Sequence, residues 1–224
     1  MIKEFIEDLK TQGIELNNDM ISSFDEFFND LVERNKITNL TRIVSEKDAY
    51  YLHFYDSLMV SKGIENYNTK LLDIGCGPGF PSIPLKIVFN DLDITMIEAT
   101  NKKVMFVKEE IEKLHLNNIR INHLRAEDFK EFDTYDYVTL RAVASVKELL
   151  PFTIPFLKIN GTLIIMKGEN KGQEELEEAK SLLNKLNSKV DKIIPYKVLD
   201  RNYELILIKK IGKTPKGFPK PIHK

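Results

Sequence analysis

A single cysteine, Cys76, in 224 residues excludes an internal disulfide and a metal site built on clustered thiols, and it suits a reducing cytoplasm. Net charge is nearly absent as well. Lys+Arg of 33 against Asp+Glu of 34 leaves a formal charge of -1, which argues against a protein that merely coats a polyanion. No apolar run approaches the roughly twenty residues of a membrane span, and the opening Met-Ile-Lys-Glu-Phe-Ile-Glu-Asp is too acidic for a secretory signal. A soluble chain with no membrane partner and no metal is expected. Internal repeats and low-complexity tracts are missing too, and a chain of this length is most simply one domain with an appendage.

Charge that is balanced overall is uneven along the chain. Residues 1–31 hold eight acids and two bases, whereas residues 205–224 hold six lysines and no acid. A basic tail of that kind is either simply solvated or an arm that meets phosphate.

What the sequence does have is a strand-to-helix loop. From Leu71 it runs Leu-Leu-Asp-Ile-Gly-Cys-Gly-Pro-Gly-Phe-Pro-Ser-Ile-Pro, with glycines at 75, 77 and 79, where a bare backbone can turn sharply and approach a ligand. A dinucleotide fingerprint would put its third glycine at position 80, which is Phe80, so a nicotinamide cofactor fits poorly and S-adenosylmethionine fits better. Such a loop needs a carboxylate about twenty residues on to accept ribose hydroxyls, and Glu98 ends the next strand-like run, Asp93 to Glu98. The alternative is an ordinary solvated glutamate. Ala99 and Thr100 are assigned to the cofactor site with Glu98. Ala126-Glu127-Asp128, after a third strand, lies where such sheets contact an adenine ring, with a plain polar turn as the competing interpretation. Cys76, between two of the glycines, is expected to be a small tolerated residue and not a nucleophile.

Before the sheet, residues 1–66 read as a helical cap. Phe5, Ile6 and Leu9 share one face of a first helix; Ile21, Phe24, Phe27, Phe28 and Leu31 mark a second; Ser45 and Asp48 open a third running through Leu58. Residues 67–211 then alternate strands (near 70–74, 93–98, 119–124, 135–140 and 161–167) with helices, including 104–116 and 171–187, which means a parallel sheet covered on both faces. Two last strand-like runs, 189–198 and 203–210, are separated by only Leu199-Asp200-Arg201-Asn202, too short for a parallel crossover, so they form an antiparallel hairpin. The expected fold class is therefore α/β: a Rossmann-like, seven-stranded sheet of the S-adenosylmethionine methyltransferase type, closed by that hairpin. Residues 212–224 form the basic tail.

Asn39-Leu40-Thr41, His53-x-x-Asp56-Ser57-Leu58, the glycine loop through Pro81, Arg141-Ala142-Val143-Ala144 and Lys167-Gly168 together resemble the RsmG (GidB) family over nearly the whole chain. The resemblance implies a bacterial methyltransferase of 16S ribosomal RNA, on naked RNA or on the small-subunit particle, that acts on N7 of one guanine. It also implies that Gly75, Phe80, Ala126, Glu127 and Arg141 line the cofactor site. Departures from the family pattern fall at Ser82, where glycine is frequent, and in the tail, where Lys220 replaces a common arginine and so loses its bidentate fork.

N7 of guanine carries a lone pair and no proton, so the chemistry needs positioning and not a general base. No catalytic dyad is expected. A cytosine-C5 enzyme's nucleophilic cysteine is absent outside the loop, and an Asp/Asn-Pro-Pro-aromatic segment is absent after the fourth strand, where Arg141 stands instead. Arg141 is assigned to shaping the cofactor site, against a surface arginine paired with a nearby acid. His53 and Asp56 are three apart on one helix face, which by itself suits a structural histidine hydrogen-bonded to a neighbouring carboxylate; the family resemblance assigns them instead to the mouth of the substrate site, with Lys167. Asn39, amid Arg34, Lys36 and Arg42, is assigned to a loop that meets RNA, against a merely solvated one. The competing functions are a small-molecule methyltransferase whose helical cap is a lid, and a non-catalytic RNA-binding or cofactor-sensing module.

Overall fold

The computed structural model describes residues 2–43, 45–141, 144–168 and 172–219. Lys220 and the rest of the tail lie outside the described residues, as do Ala142 and Val143.

Helix α1 (Ile2–Thr11) buries Phe5 and Leu9, and α2 (Asn18–Thr38) buries Phe24, Phe27 and Leu31. Asn17 caps α2, its Oδ1 accepting from the Met20 N–H at 2.9 Å. At the other end Asn39 takes the left-handed conformation (φ 48°), which asparagine tolerates better than most residues. The third helix is not the regular one its spacing suggests. A short α3 (Glu46–Asp48) passes into a π-helix over Ala49–Tyr55, then α4 (Asp56–Met59) and a 3₁₀ turn, Val60–Gly63. The Asp56 N–H reaches the Tyr51 carbonyl five residues back. A regular amphipathic helix would turn one stripe to water, but this segment is buried nearly all round, its Tyr50 and Phe54 packed against Phe5 and Phe24.

Seven strands follow: β1 (Lys70–Ile74), β2 (Asp93–Glu98), β3 (Ile119–His123), β4 (Tyr135–Arg141), β5 (Leu157–Gly168), β6 (Ser188–Val198) and β7 (Arg201–Lys210). Their order across the sheet is β3-β2-β1-β4-β5-β7-β6; β1 to β5 are parallel, and β7 runs antiparallel between β5 and β6. The hairpin is tighter than the sequence suggests, turning on Leu199-Asp200 alone with Leu199 at φ 54°. β5 also starts four residues earlier than its apolar run, because Leu157 pairs with Tyr135 before a register shift absorbs the turn-like Lys158–Asn160.

Helices α5 (Ser82–Val88) and α6 (Asn101–Lys113) share one face of the sheet with the helices that precede β1. On the other face lie α7 (Val146–Thr153), opened by a Ser145–Glu148 capping box, and α8 (Gly172–Lys185). The early helices are continuous with the main core: Phe27 touches both Phe80 of the glycine loop and Phe106 of α6. Strand order reverses between β1 and β4, the switch point where open sheets of this type bind ligands beyond the strands' carboxyl ends.

Candidate functional site

At that switch point the loop after β1 is pinned by the Ile97 carbonyl, which accepts from the Gly75 N–H at 2.8 Å. Gly75 (φ 75°) and Gly77 (φ 59°) occupy a conformation that favours glycine, and a Cβ on either would project into open space. Gly79 (φ 107°) has a different constraint: a Cβ there would sit 2.4 Å from the Ile83 Cδ1, so this glycine lets α5 close against the loop. Glu98, buried at the end of β2, ties the loop down. Its Oε2 accepts from the Gly77 N–H at 3.0 Å and its Oε1 from the Thr100 N–H at 2.7 Å, which leaves each oxygen one lone pair for a ligand.

Gly75 and Glu98 border a cavity of about 370 Å³. Of the expected cofactor residues, Gly75, Glu98, Ala99, Ala126, Glu127 and Arg141 line it. Gly77, Gly79, Phe80 and Thr100 do not; they support the lining from behind. Phe80 is buried under the His53 ring, with centroids 4.3 Å apart and planes 6° from parallel. Sequence reasoning missed Arg125 and the apolar side chains Leu124, Leu149 and Phe152, which complete the wall. Arg125 directly precedes the Ala126-Glu127 turn, and that adjacency was the available signal. Cys76 is buried and its thiol is pushed well above its usual range by burial first and by Asp73 and Glu98. Beneath the loop Asp73 is fully buried; its Oδ2 accepts from Ser82 Oγ at 2.6 Å while its Oδ1 has no partner, and burial pushes its carboxyl up to about 7.

Arg141 leaves the end of β4 and gathers the segments that sequence alone scatters. Its guanidinium donates to the Leu52 carbonyl at 3.1 Å and to His53 Nδ1 at 3.4 Å, and lies 3.4 Å from Asp56 Oδ2. Because Nδ1 accepts, the proton of His53 sits on Nε2, which donates to Thr41 Oγ1 at 2.9 Å. Burial, with the Arg141 charge second, lowers this imidazole to about 3, so His53 is neutral. Asp56 Oδ1 accepts from the Tyr196 hydroxyl at 2.7 Å; burial raises its carboxyl value, against the opposing pull of Arg141 and Tyr196. One connected network thus runs from Thr41 through His53, Arg141 and Asp56 to Tyr196 on β6.

A second cavity, of about 240 Å³, lies on the other side of Arg141, lined by Asp56, Met166, Lys167, Gly168, Tyr196 and Tyr203. Lys167 is buried and held by the Ala144 carbonyl at 2.6 Å and by Glu175 at 2.8 Å. Of the expected substrate residues, Asp56 and Lys167 reach this cavity, and His53 stands one bond away. Asn39 and Arg42 are exposed and line neither cavity, and two cations near them are already paired, Arg34 with Glu109 and Lys36 with Glu33. Tyr196 and Tyr203 escaped sequence reasoning because they read as ordinary strand aromatics. Among the described residues, no cluster of metal-ligating side chains and no helix long and apolar enough to cross a membrane is present.

The model of the family described as rRNA small subunit methyltransferase G (GidB) matches residues 20–203. The chain belongs to that family. It is 42% identical over 225 residues to the "Ribosomal RNA small subunit methyltransferase G" of Streptococcus gordonii, spanning 97% of this chain and 94% of the relative. Against the protein of the same name from Leuconostoc citreum it is 39% identical, spanning 98% and 95%. Among solved structures, a SAM-dependent methyltransferase from Aquifex aeolicus shares the fold at a TM-score of 0.54 and 18% identity, covering 79% of this chain and 98% of that one. TYW2 of M. jannaschii, solved in complex with AdoMet, aligns at a TM-score of 0.57 and 21% identity, covering 70% and 77%. The seven-stranded sheet with its antiparallel hairpin is therefore the methyltransferase architecture expected from the sequence.

Proposed function

We propose that this family member is an S-adenosylmethionine-dependent methyltransferase that modifies N7 of a guanine in small-subunit ribosomal RNA. The observation that carries the proposal is the pair of cavities divided by Arg141: one is bordered by Gly75 and the strand-end carboxylate of Glu98, the other is large enough to admit a base. The donor fits the first cavity. Glu98 keeps one free lone pair on each oxygen for ribose hydroxyls, the Gly75 backbone has no Cβ in the way, and Leu124, Ala126, Leu149 and Phe152 give an apolar face for an adenine ring.

When bound, S-adenosylmethionine supplies an electrophilic methyl group. The chain's own part is to orient and enclose. Arg141 is locked by three contacts from the helices before β1, so both cavities keep a fixed separation. A neutral His53 whose two nitrogens are both engaged offers no free base, and a protonated, buried Cys76 offers no nucleophile, which agrees with an acceptor that has no proton to lose. The small-molecule alternative needs a detachable lid, and helices fused to the main core through Phe27 argue against one. Exposed Lys189, Lys192, Lys197, Arg201, Lys213 and Lys216 on and after the hairpin suit an RNA phosphate backbone. The test is transfer of labelled methyl from the donor to small subunits lacking the modification, followed by mapping of N7-methylguanine by chemical cleavage. Label appearing on another base, or no donor binding by calorimetry, would refute the proposal, and Arg141→Ala is expected to weaken both donor affinity and turnover.

A further inference from the structure

We propose that the cavity beside Arg141 receives the target purine and that Asp56, held by Tyr196, selects guanine by accepting hydrogen bonds from its N1–H and N2 amino group. This rests on the function proposed above and deepens it. Asp56 is only 6% exposed, yet it borders an open cavity. A buried carboxylate is costly unless its oxygens are satisfied. Here one oxygen accepts from the Tyr196 hydroxyl and the other faces Arg141, which leaves each oxygen a second lone pair. Two adjacent acceptors on one rigid group match two adjacent donors, and of the RNA bases guanine alone offers a ring N–H beside an exocyclic amine on the edge it pairs with. Adenine presents a lone pair at N1, which a carboxylate repels, so the same group also rejects the other purine.

The remaining walls suit a flat ring. Tyr196 and Tyr203 stand parallel within 24°, centroids 5.6 Å apart, and Met166 lines the cavity with them. Aromatic faces of this kind are how an unstacked base is held, while its pairing edge is read by side chains. Reading guanine by that edge leaves N7, on the far side of the purine, unengaged. Tyr196 acts as a positioning residue: its hydroxyl fixes the carboxylate that would meet the base.

The experiment compares small subunits reconstituted on ligated RNA that carries guanine, inosine or 7-deazaguanine at the modified position. Inosine keeps N7 and N1–H but lacks the N2 amine, so the wild-type enzyme is expected to prefer guanine over inosine by about 10- to 100-fold in kcat/KM, the range for losing one hydrogen bond to a charged group. Asp56→Asn is expected to erase most of that preference. Tyr196→Phe, which keeps the ring and lies outside the donor cavity, is expected to reduce the preference several-fold while calorimetric donor affinity holds, and it decides the matter if Asp56→Asn fails to fold. An unchanged guanine-to-inosine ratio in Tyr196→Phe, or no preference in the wild type, overturns the assignment. Failure of the parent function looks different: methyl transfer to 7-deazaguanine RNA equal to that on guanine would mean that N7 is not the acceptor at all.

Discussion

Replacing Asp73 by asparagine should make the stability curves of the two proteins cross as pH rises. Asp73 lies fully buried beneath the glycine loop, with its carboxyl raised from 3.8 to about 7, chiefly by burial. Each tenfold in proton affinity corresponds to about 1.4 kcal/mol, so once ionised this side chain costs the folded state about 4 kcal/mol relative to the unfolded chain. The direction follows from the raised value. The wild type holds its full stability below pH 3.8, and loses this contribution as pH climbs through 7, because the unfolded chain ionises first. Asparagine removes that slope. It also places an amide nitrogen in a pocket where Asp73 Oδ1 already lacks a partner, an unsatisfied donor that costs about 1–3 kcal/mol at every pH. The variant should therefore be the less stable protein at pH 3.5 and the more stable one at pH 8.5, by about 1–3 kcal/mol in each case, with the two curves crossing between about pH 4.5 and 6. Urea unfolding at fixed temperature from pH 3.5 to pH 9 measures the difference, and contributions from other titrating groups cancel between the two proteins. Parallel curves, with a pH-independent gap, would refute the reasoning by showing that Asp73 is ionised throughout or hydrated in the folded state.

The loop glycines should separate folding from binding. Gly79→Ala forces a Cβ against Ile83 in a left-handed backbone and should cost about 2–4 kcal/mol in urea unfolding, from strain and overpacking together, whereas Gly75→Ala, which meets only open cavity, should lose more in donor affinity by calorimetry than in stability. His53 should stay neutral well below pH 6 when its imidazole is followed by NMR; with a folded value lowered to about 3, its contribution to stability is present above 6.5 and is lost as pH falls toward 3. A His53 titration midpoint near 6.5 would show that the network around it does not persist in solution. Arg42→Ala should reduce the salt slope of RNA binding by about one charge, and Lys36→Ala, whose amine already pairs with Glu33, by less; equal effects would mean that the Lys36–Glu33 pair opens on binding.

The parts of this molecule that were legible in the sequence are those where one residue type has one physical reason to be there. Glycines at 75, 77 and 79 announce a backbone that turns sharply, and the short gap after Val198 dictates an antiparallel hairpin; both turns stand in the structure. The π-helix was not legible, since Ala49–Tyr55 has ordinary helical spacing and is buried nearly all round, so no exposed stripe marks it in the sequence. Asn39 was assigned to RNA, and the structure adds a local reason for it that the assignment did not use, as the left-handed end of α2. Tyr196 could not have been found from pattern alone, because its importance comes from a partner 140 residues away. Glu98 stands at the strand end its spacing indicates and lines the cavity, but its two bonds to the loop's own N–H groups follow from loop geometry that no spacing rule encodes.

The distance along the chain between Tyr196 and Asp56 also bears on synthesis. A growing polypeptide that has emerged only as far as β5 already contains every glycine of the donor loop, yet its sheet ends in a raw edge and Asp56 has no hydroxyl to rest against. On the proposed assignment, the glycine loop is therefore made early, while the hydroxyl that holds Asp56 is among the last parts of the sheet to be made.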